Sequence, residues 1–143
     1  MADQTHRSTA RRRVVVVNDD QGVLDLYRDQ LRELNYEPVG MATTGIQSDQ
    51  IRAHDPDAVI LDLQVGEESE YGIAMAVQLR NDTRLANIPI VVCTASAEAL
   101  DGARRQLHDI GVPALLKPIS IEALEEILSS TAGGNNRPII GRE

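Results

Sequence analysis

Short apolar runs alternate along this chain with segments whose apolar residues recur every third or fourth position. Residues 14–17 are four consecutive valines. An unbroken β-branched run predicts a strand buried on both faces. In residues 21–35, Leu24, Tyr27, Leu31 and Leu34 follow helical spacing with charged residues between them. Residues 37–42 read as a short strand. Residues 44–54 read as a weak helix with Thr43 or Thr44 as its N-cap. D-A-V-I-L-D-L, residues 57–63, is another buried strand, and residues 72–84 are helical, with Ile73, Ala76, Val77 and Arg80 on the period. Residues 88–93 (I-P-I-V-V-C) predict a strand. Residues 97–108 predict a helix ended by Gly111, and residues 112–116 a last strand. Ser120 caps a final helix to residue 130, with Ile121, Leu124, Ile127 and Leu128 inward and Glu122, Glu125 and Glu126 outward.

Strict alternation of five strands and five helices predicts an α/β fold: a parallel sheet covered on both faces. In such sheets the functional site lies beyond the carboxyl ends of the strands, where strand order reverses. The organisation expected is a disordered head over residues 1–10, one domain over 11–130 and a flexible tail over 131–143. The tail carries Gly133-Gly134-Asn135-Asn136 and Pro138, with no output domain expected after it. No internal repeat, signal-peptide core or membrane span is evident.

Composition narrows the function. The 143 residues carry a net charge of −8. The first thirteen contribute +3 and the last thirteen +1, so the body holds −12. A body that acidic repels phosphate backbones, and three Tyr without Phe or Trp supply no stacking platform, so no nucleic-acid partner is expected. One cysteine, Cys93, excludes an internal disulfide and a cysteine zinc site. His6, His54 and His108 share no metal-ligand spacing. Thirteen of the fourteen basic residues are Arg; the single Lys is Lys117.

That lysine and a few oxygen-bearing side chains fall at predicted strand ends. The first strand ends in Asn18-Asp19-Asp20, the third holds Asp62, the fourth runs into Thr94-Ala95, and the fifth into Leu116-Lys117-Pro118. Each has a plain structural explanation. Asp20 is a good N-cap, Thr94 an ordinary strand-end residue and Lys117 an ordinary surface lysine. Asp62 is harder to dismiss, because an unpaired carboxylate in an apolar strand is costly. Taken together, three carboxylates on one rim raise each other's pKa values, and a divalent cation plus an ammonium group relieves this. Oxygen-only donors suit magnesium. A carboxylate so placed is a competent nucleophile toward a phosphoryl donor, with Lys117 and the Thr94 hydroxyl neutralising charge. The residues thus point to metal-assisted aspartyl phosphorylation.

The motifs V-V-V-V-N-D-D, V-I-L-D-L, I-P-I-V-V-C-T-A and L-L-K-P-I, in this order, resemble the receiver domain of two-component response regulators over about residues 12–130. The resemblance implies a flavodoxin-like three-layer αβα sandwich with strand order 2-1-3-4-5. It implies Asp62 as phosphoacceptor, and magnesium held by Asp19, Asp20, Asp62 and the Gln64 backbone carbonyl. Thr94 and Lys117 would contact the phosphoryl group, and Lys117–Pro118 would be a cis peptide. It implies self-catalysed phosphorylation and dephosphorylation rather than turnover enzymology. The expected setting is the cytoplasm, with a sensor histidine kinase or histidine phosphotransfer protein upstream and a protein partner downstream. A weak homodimer through the last two helices and strand five is also implied, against the plainer reading of Arg104, Arg105 and the outward glutamates as a solvated face.

Two features depart from the family pattern. The loop after the acceptor (Gln64-Val65-Gly66-Glu67-Glu68-Ser69-Glu70-Tyr71-Gly72) lacks the usual Met-Pro pair, is about two residues long in excess, and is acidic. The position three before Lys117, usually Tyr or Phe, is Ala114, and no aromatic follows Tyr71. Activation is then expected to run through Thr94 and residues 94–98 alone. Three readings stay open: a stand-alone receiver signalling to a partner, a phosphorelay shuttle or phosphate sink, and a pseudo-receiver that only binds. A magnesium-dependent phosphatase would need Asp where Gln64 stands. A dinucleotide-binding enzyme would need G-x-G-x-x-G after strand one.

Overall fold

The computed structural model describes residues 11–42, 46–64, 70–117 and 119–132. In chain order the elements are β1 (Arg13–Val17), α1 (Gln21–Glu33), β2 (Glu37–Met41), α2 (Ser48–Arg52), β3 (Ala58–Asp62), α3 (Tyr71–Arg80), β4 (Ile90–Thr94), α4 (Ala97–Asp109), β5 (Ala114–Leu116) and α5 (Ile121–Ala132). The strands form one parallel sheet in the order β2-β1-β3-β4-β5. This is the flavodoxin-like αβα sandwich, with the switch in strand order between β1 and β3.

Alternate residues of the strands enter different cores. Val14, Val16, Ala58, Ile60, Val91 and Cys93 pack with α1 and α5 residues such as Leu24, Tyr27, Leu31, Leu124 and Leu128. Val15, Val17, Val59, Leu61, Ile90 and Val92 pack on the other face with Ile51, Met75, Leu79, Ala103 and Leu107. A sheet buried on both faces needs unbroken apolar strands, which is why its strands lack the polar alternation of a one-sided sheet.

Several predicted boundaries move for local reasons. The helix expected over residues 44–54 is only Ser48–Arg52, and its N-cap is Gln47, whose backbone N–H donates to Gln50 Oε1 at 2.7 Å. Thr43 and Thr44, the expected caps, lie outside the described residues. The helix expected to reach residue 84 stops at Arg80, because Asp82 Oδ1 accepts the Arg84 N–H at 2.9 Å and turns the chain so that Leu85 is buried. Strand β4 begins after Pro89, which has no N–H to give the ladder, and ends on Thr94. Helices α1 and α4 end with Asn35 and Gly111 in the left-handed region (φ 72° and 73°). There Tyr36 N–H reaches Leu31 O and Val112 N–H reaches Leu107 O, closing Schellman turns.

One charged side chain holds two loops. Arg80 donates from Nε to Ile110 O (2.9 Å), from Nη1 to Ala86 O (3.1 Å) and Ile88 O (2.9 Å), and from Nη2 to Gly111 O (3.1 Å). It ties the end of α3 to the segments leading into β4 and β5, and so sets where those strands start. Arg80→Met, which keeps the stem and removes the donors, is expected to cost about 2–4 kcal/mol in urea unfolding, since four carbonyls lose a charged partner. A loss within error of zero would show that water replaces the guanidinium freely.

Candidate functional site

The carboxyl ends of β1, β3, β4 and β5 meet at one rim. Asn18, buried at 3% exposure, closes β1: its N–H donates to Met41 O at 3.2 Å and its Oδ1 accepts the Asp20 N–H at 2.9 Å. That side-chain turn presents Asp19 and Asp20, both exposed, at the strand end. Asp20 is the N-cap of α1, with Oδ1 accepting from Gly22 N–H (2.8 Å) and Val23 N–H (3.3 Å). The capping reading is therefore real, and it uses one carboxylate oxygen.

Asp62 ends β3 and Lys117 follows β5. Strand β4 lies between them, so their backbones stand two strand spacings apart, about 10 Å. Only a long side chain spans that gap. Lys117 does so, placing Nζ 2.6 Å from Asp62 Oδ1, with side-chain exposures of 23% and 14%. The backbone helps: Lys117 N–H donates to Thr94 O at 2.8 Å, extending the β4–β5 ladder. Cys93 on the intervening strand is the cross-strand partner of Asp62.

Among the described residues, buried Asp62 Oδ1 has no hydrogen-bond donor besides the Lys117 ammonium. Burial raises the Asp62 carboxyl above its ordinary pKa; Lys117 opposes this, the Asp19 charge adds to it, and the Gln64 backbone N–H opposes it. Asp19, Asp62 and Lys117 are thus one electrostatic unit.

Thr94, 4% exposed, turns its hydroxyl into its own loop: Oγ1 accepts the Ser96 N–H at 3.1 Å. Ser96 is the N-cap of α4, its Oγ accepting the Ala99 N–H at 3.1 Å. Ala114, half-buried on β5, packs among apolar residues of the α3–α4 side. Gln64 is exposed two residues past Asp62; residues 65–69, including Glu67 and Glu68, and Pro118, on which the expected cis bond falls, lie outside the described residues.

Hard oxygen donors surround the rim, as a magnesium ion requires. Among the described residues no group of three or more His, Cys, Asp or Glu side chains is drawn together closely enough to hold a metal. The arrangement suits an open site, because magnesium takes one or two carboxylates and keeps several waters. The push of the Asp19 charge on the Asp62 carboxyl is what such an ion would relieve. The donor set of Asp19, Asp20, Asp62 and the Gln64 carbonyl therefore fits in chemistry.

Three further residues shape the site without standing out in the sequence. Asn18 makes the turn described above. Gly72, opening α3, donates its N–H to Leu63 O at 2.9 Å; a Cβ there would lie 2.9 Å from both Asp62 O and Leu63 Cα, so only glycine lets α3 close on β3. Tyr27 reaches from α1 beneath the ion pair, its hydroxyl donating to Cys93 Sγ at 3.7 Å. Burial raises that phenol's pKa and pushes the Cys93 thiol up to about 12, so both stay protonated at neutral pH. Helical periodicity marked Tyr27 as core, and its hydroxyl carried no signal.

The direction of the Asp62 shift predicts a pH effect. A carboxyl with a raised folded pKa favours folding below its unfolded pKa and loses that contribution as pH rises through the folded value. Asp62→Asn should therefore be the more stable protein at pH 7 in urea unfolding, with the difference shrinking as pH falls below the ordinary carboxyl range near 4. A wild type more stable than Asp62→Asn at neutral pH would show that Lys117 outweighs burial.

Comparison with known proteins agrees with this geometry. The sequence profile of the response regulator receiver domain matches residues 14–129. The polar-differentiation response regulator DivK of Brucella ovis is 30% identical over 122 residues, covering 84% of this chain and 95% of the relative. DivK of Brucella anthropi gives the same identity and coverage. A response regulator receiver domain protein from Clostridium thermocellum shares the fold with a TM-score of 0.70 at 17% identity, over 85% of this chain and 94% of that one. The receiver domain of a sensor histidine kinase from Pseudomonas aeruginosa, described with a magnesium ion coordinated in its active-site cleft, gives 0.67 at 23% identity, over 87% and 100%. With its profile match across nearly the whole sandwich and its likeness to DivK, the chain belongs to the response regulator receiver family.

Proposed function

We propose that Asp62 accepts a phosphoryl group and that the phosphorylated rim is read by a protein partner. The observation that carries this reading is the Lys117 ammonium, the chain's one lysine, held 2.6 Å from a partly buried aspartate within reach of the Asp19 charge. Oδ1 is buried, so the edge of the carboxylate open to solvent is Oδ2. Oδ2 attacks phosphorus, the donor's bond to phosphorus breaks, and the electron pair leaves with the donor. Lys117 follows the negative charge onto the phosphoryl oxygens, and the Thr94 hydroxyl turns from Ser96 N–H toward the same group. Asp19, Asp20, Asp62 and the Gln64 carbonyl would hold magnesium, which when bound neutralises charge on the transferring group.

The donor in this reading is a sensor histidine kinase or histidine phosphotransfer protein, met in the cytoplasm. The described helices agree with that setting only in that none is long and apolar enough to cross a membrane. The likeness to DivK supports a receiver read by a separate protein, since the alignment covers 95% of that relative and leaves it little room for an output domain. Incubation with magnesium and acetyl phosphate should add one phosphoryl mass to the wild type and none to Asp62→Asn, read by intact mass. Equal uptake by both, or none by either, overturns the assignment.

The read-out proposed runs through α4. Withdrawing the Thr94 hydroxyl strips Ser96 N–H of its acceptor at the N-cap of α4, and Ala114 offers no aromatic ring to move in concert. Relaxation-dispersion NMR with and without beryllofluoride should show changes centred on residues 94–99 and small shifts across residues 115–127. Equally large shifts in the second stretch would show that β5 and α5 carry the signal.

A further inference from the structure

The described site holds a weakly matched donor beside an acceptor that depends on one mobile cation. Among the described residues the Tyr27 hydroxyl, buried on α1, has as its acceptor the Cys93 sulfur at 3.7 Å, a weak partner for a phenol. Asp62 Oδ1, buried on β3, is held by the Lys117 ammonium at 2.6 Å. Cys93 and Asp62 are cross-strand partners on the same sheet face, which brings the two groups together. Tyr27, Cys93, Asp62, Lys117 and Asn18 line one void beneath the rim, too tight for a water molecule to bridge them.

We propose that Tyr27 is a positioning residue for the phosphorylated state: its hydroxyl turns from Cys93 onto Asp62 Oδ1 once Lys117 has followed the phosphoryl group, and thereby shortens the life of the acyl phosphate. This rests on Asp62 being the acceptor. With Oδ2 bonded to phosphorus, Oδ1 becomes a buried carbonyl oxygen that has lost its ammonium partner and cannot reach water. A hydroxyl rotor one void away is the remaining donor from α1, and an oxygen acceptor outcompetes a sulfur in a dry setting. In hydrolysis, water attacks phosphorus and the P–Oδ2 bond breaks. Its electron pair returns to the carboxylate, and the water's proton leaves with inorganic phosphate. Negative charge on the carboxyl grows along that path, so a donor on Oδ1 favours it.

The experiment loads wild type and Tyr27→Phe with acetyl phosphate and magnesium, removes the donor, and follows loss of the phosphoryl mass. Tyr27→Phe keeps the ring and should hold the phosphoryl group about fivefold longer, the worth of one ordinary hydrogen bond. With 13C-labelled aspartate, infrared difference spectra should place the acyl carbonyl stretch lower in the wild type than in the variant, a shift that a packing role would not produce. Equal lifetimes, or a changed lifetime with an unmoved stretch, overturn the inference while leaving Asp62 as acceptor; no uptake by wild type overturns both. If Tyr27→Phe takes up no phosphoryl group, Cys93→Ala decides. Removing the resting acceptor should shorten the lifetime, and an equal or longer one overturns the role.

Discussion

The molecule is organised around one ion pair that must be made across an intervening strand. Asp62 and Lys117 belong to β3 and to the end of β5, and β4 separates them. Arginine could span the distance, but its planar fork would fix the geometry, whereas an ammonium is a compact charge on a flexible stem that can change partners. This gives a physical reason for lysine here in a chain whose other basic residues are all arginine. Burial works against the pair: the carboxyl is raised despite an ammonium at 2.6 Å. The resting site is thus held by opposed effects, desolvation and Asp19 on one side and Lys117 on the other. A partner that brings or takes charge shifts that balance without refolding anything.

Much of the architecture was legible because it depends on residues that serve only one purpose. Four consecutive valines and the A-V-I-L run can be little other than strands covered on both faces, and Gly111 marks a helix end by its backbone freedom. The rim residues were legible for a different reason: a carboxylate at the end of an apolar strand and a solitary lysine each need explaining. What stayed hidden were residues with two purposes. Tyr27 is core by its ring and part of the site by its hydroxyl, and hydrophobic periodicity records only the ring. Gly72 reads as a weak helix former, and its necessity appears only when β3 is seen within 3 Å of where its Cβ would be. The overextended third helix failed similarly. Residues 81–84 (Asn-Asp-Thr-Arg) carry no Gly or Pro to mark a stop, but Asp82 Oδ1 accepts the Arg84 N–H, the Arg80 guanidinium finds four loop carbonyls, and the chain turns.

The strand pleat divides the site between the two layers of the sandwich. Asp62 and Cys93 share the face covered by α1 and α5, and Tyr27 meets them there. Thr94, next along β4, points to the opposite face by the alternation of a strand, and its hydroxyl is spent on the loop that starts α4. Cys93, the cross-strand partner of Asp62, and Thr94, whose hydroxyl serves the loop that starts α4, are therefore adjacent in sequence yet set in different layers. Under the proposed function, a change of charge at Asp62 would be felt beneath it by Tyr27 and Cys93 and beside it by the α4 N-cap, so lifetime and signal could be tuned separately by substitutions in α1 and in α4.

That separation also gives Ala114 a coherent place. On β5 it packs into the core on the α3–α4 side, where a larger ring would have to be accommodated among Val92 and its neighbours. With alanine there, the reporting layer keeps the Thr94–Ser96 contact and the cap that follows it. A hydrogen-bonded cap is worth about 1 kcal/mol, enough to change the population of the first turn of a helix several-fold but not to displace the helix bodily. Under the proposed function, a switch of that size suits a partner that recognises the start of α4 directly. It suits poorly a partner that needs β5 and α5 to move, since Lys117 and the β4–β5 ladder hold that edge through backbone bonds that the acceptor's charge does not touch.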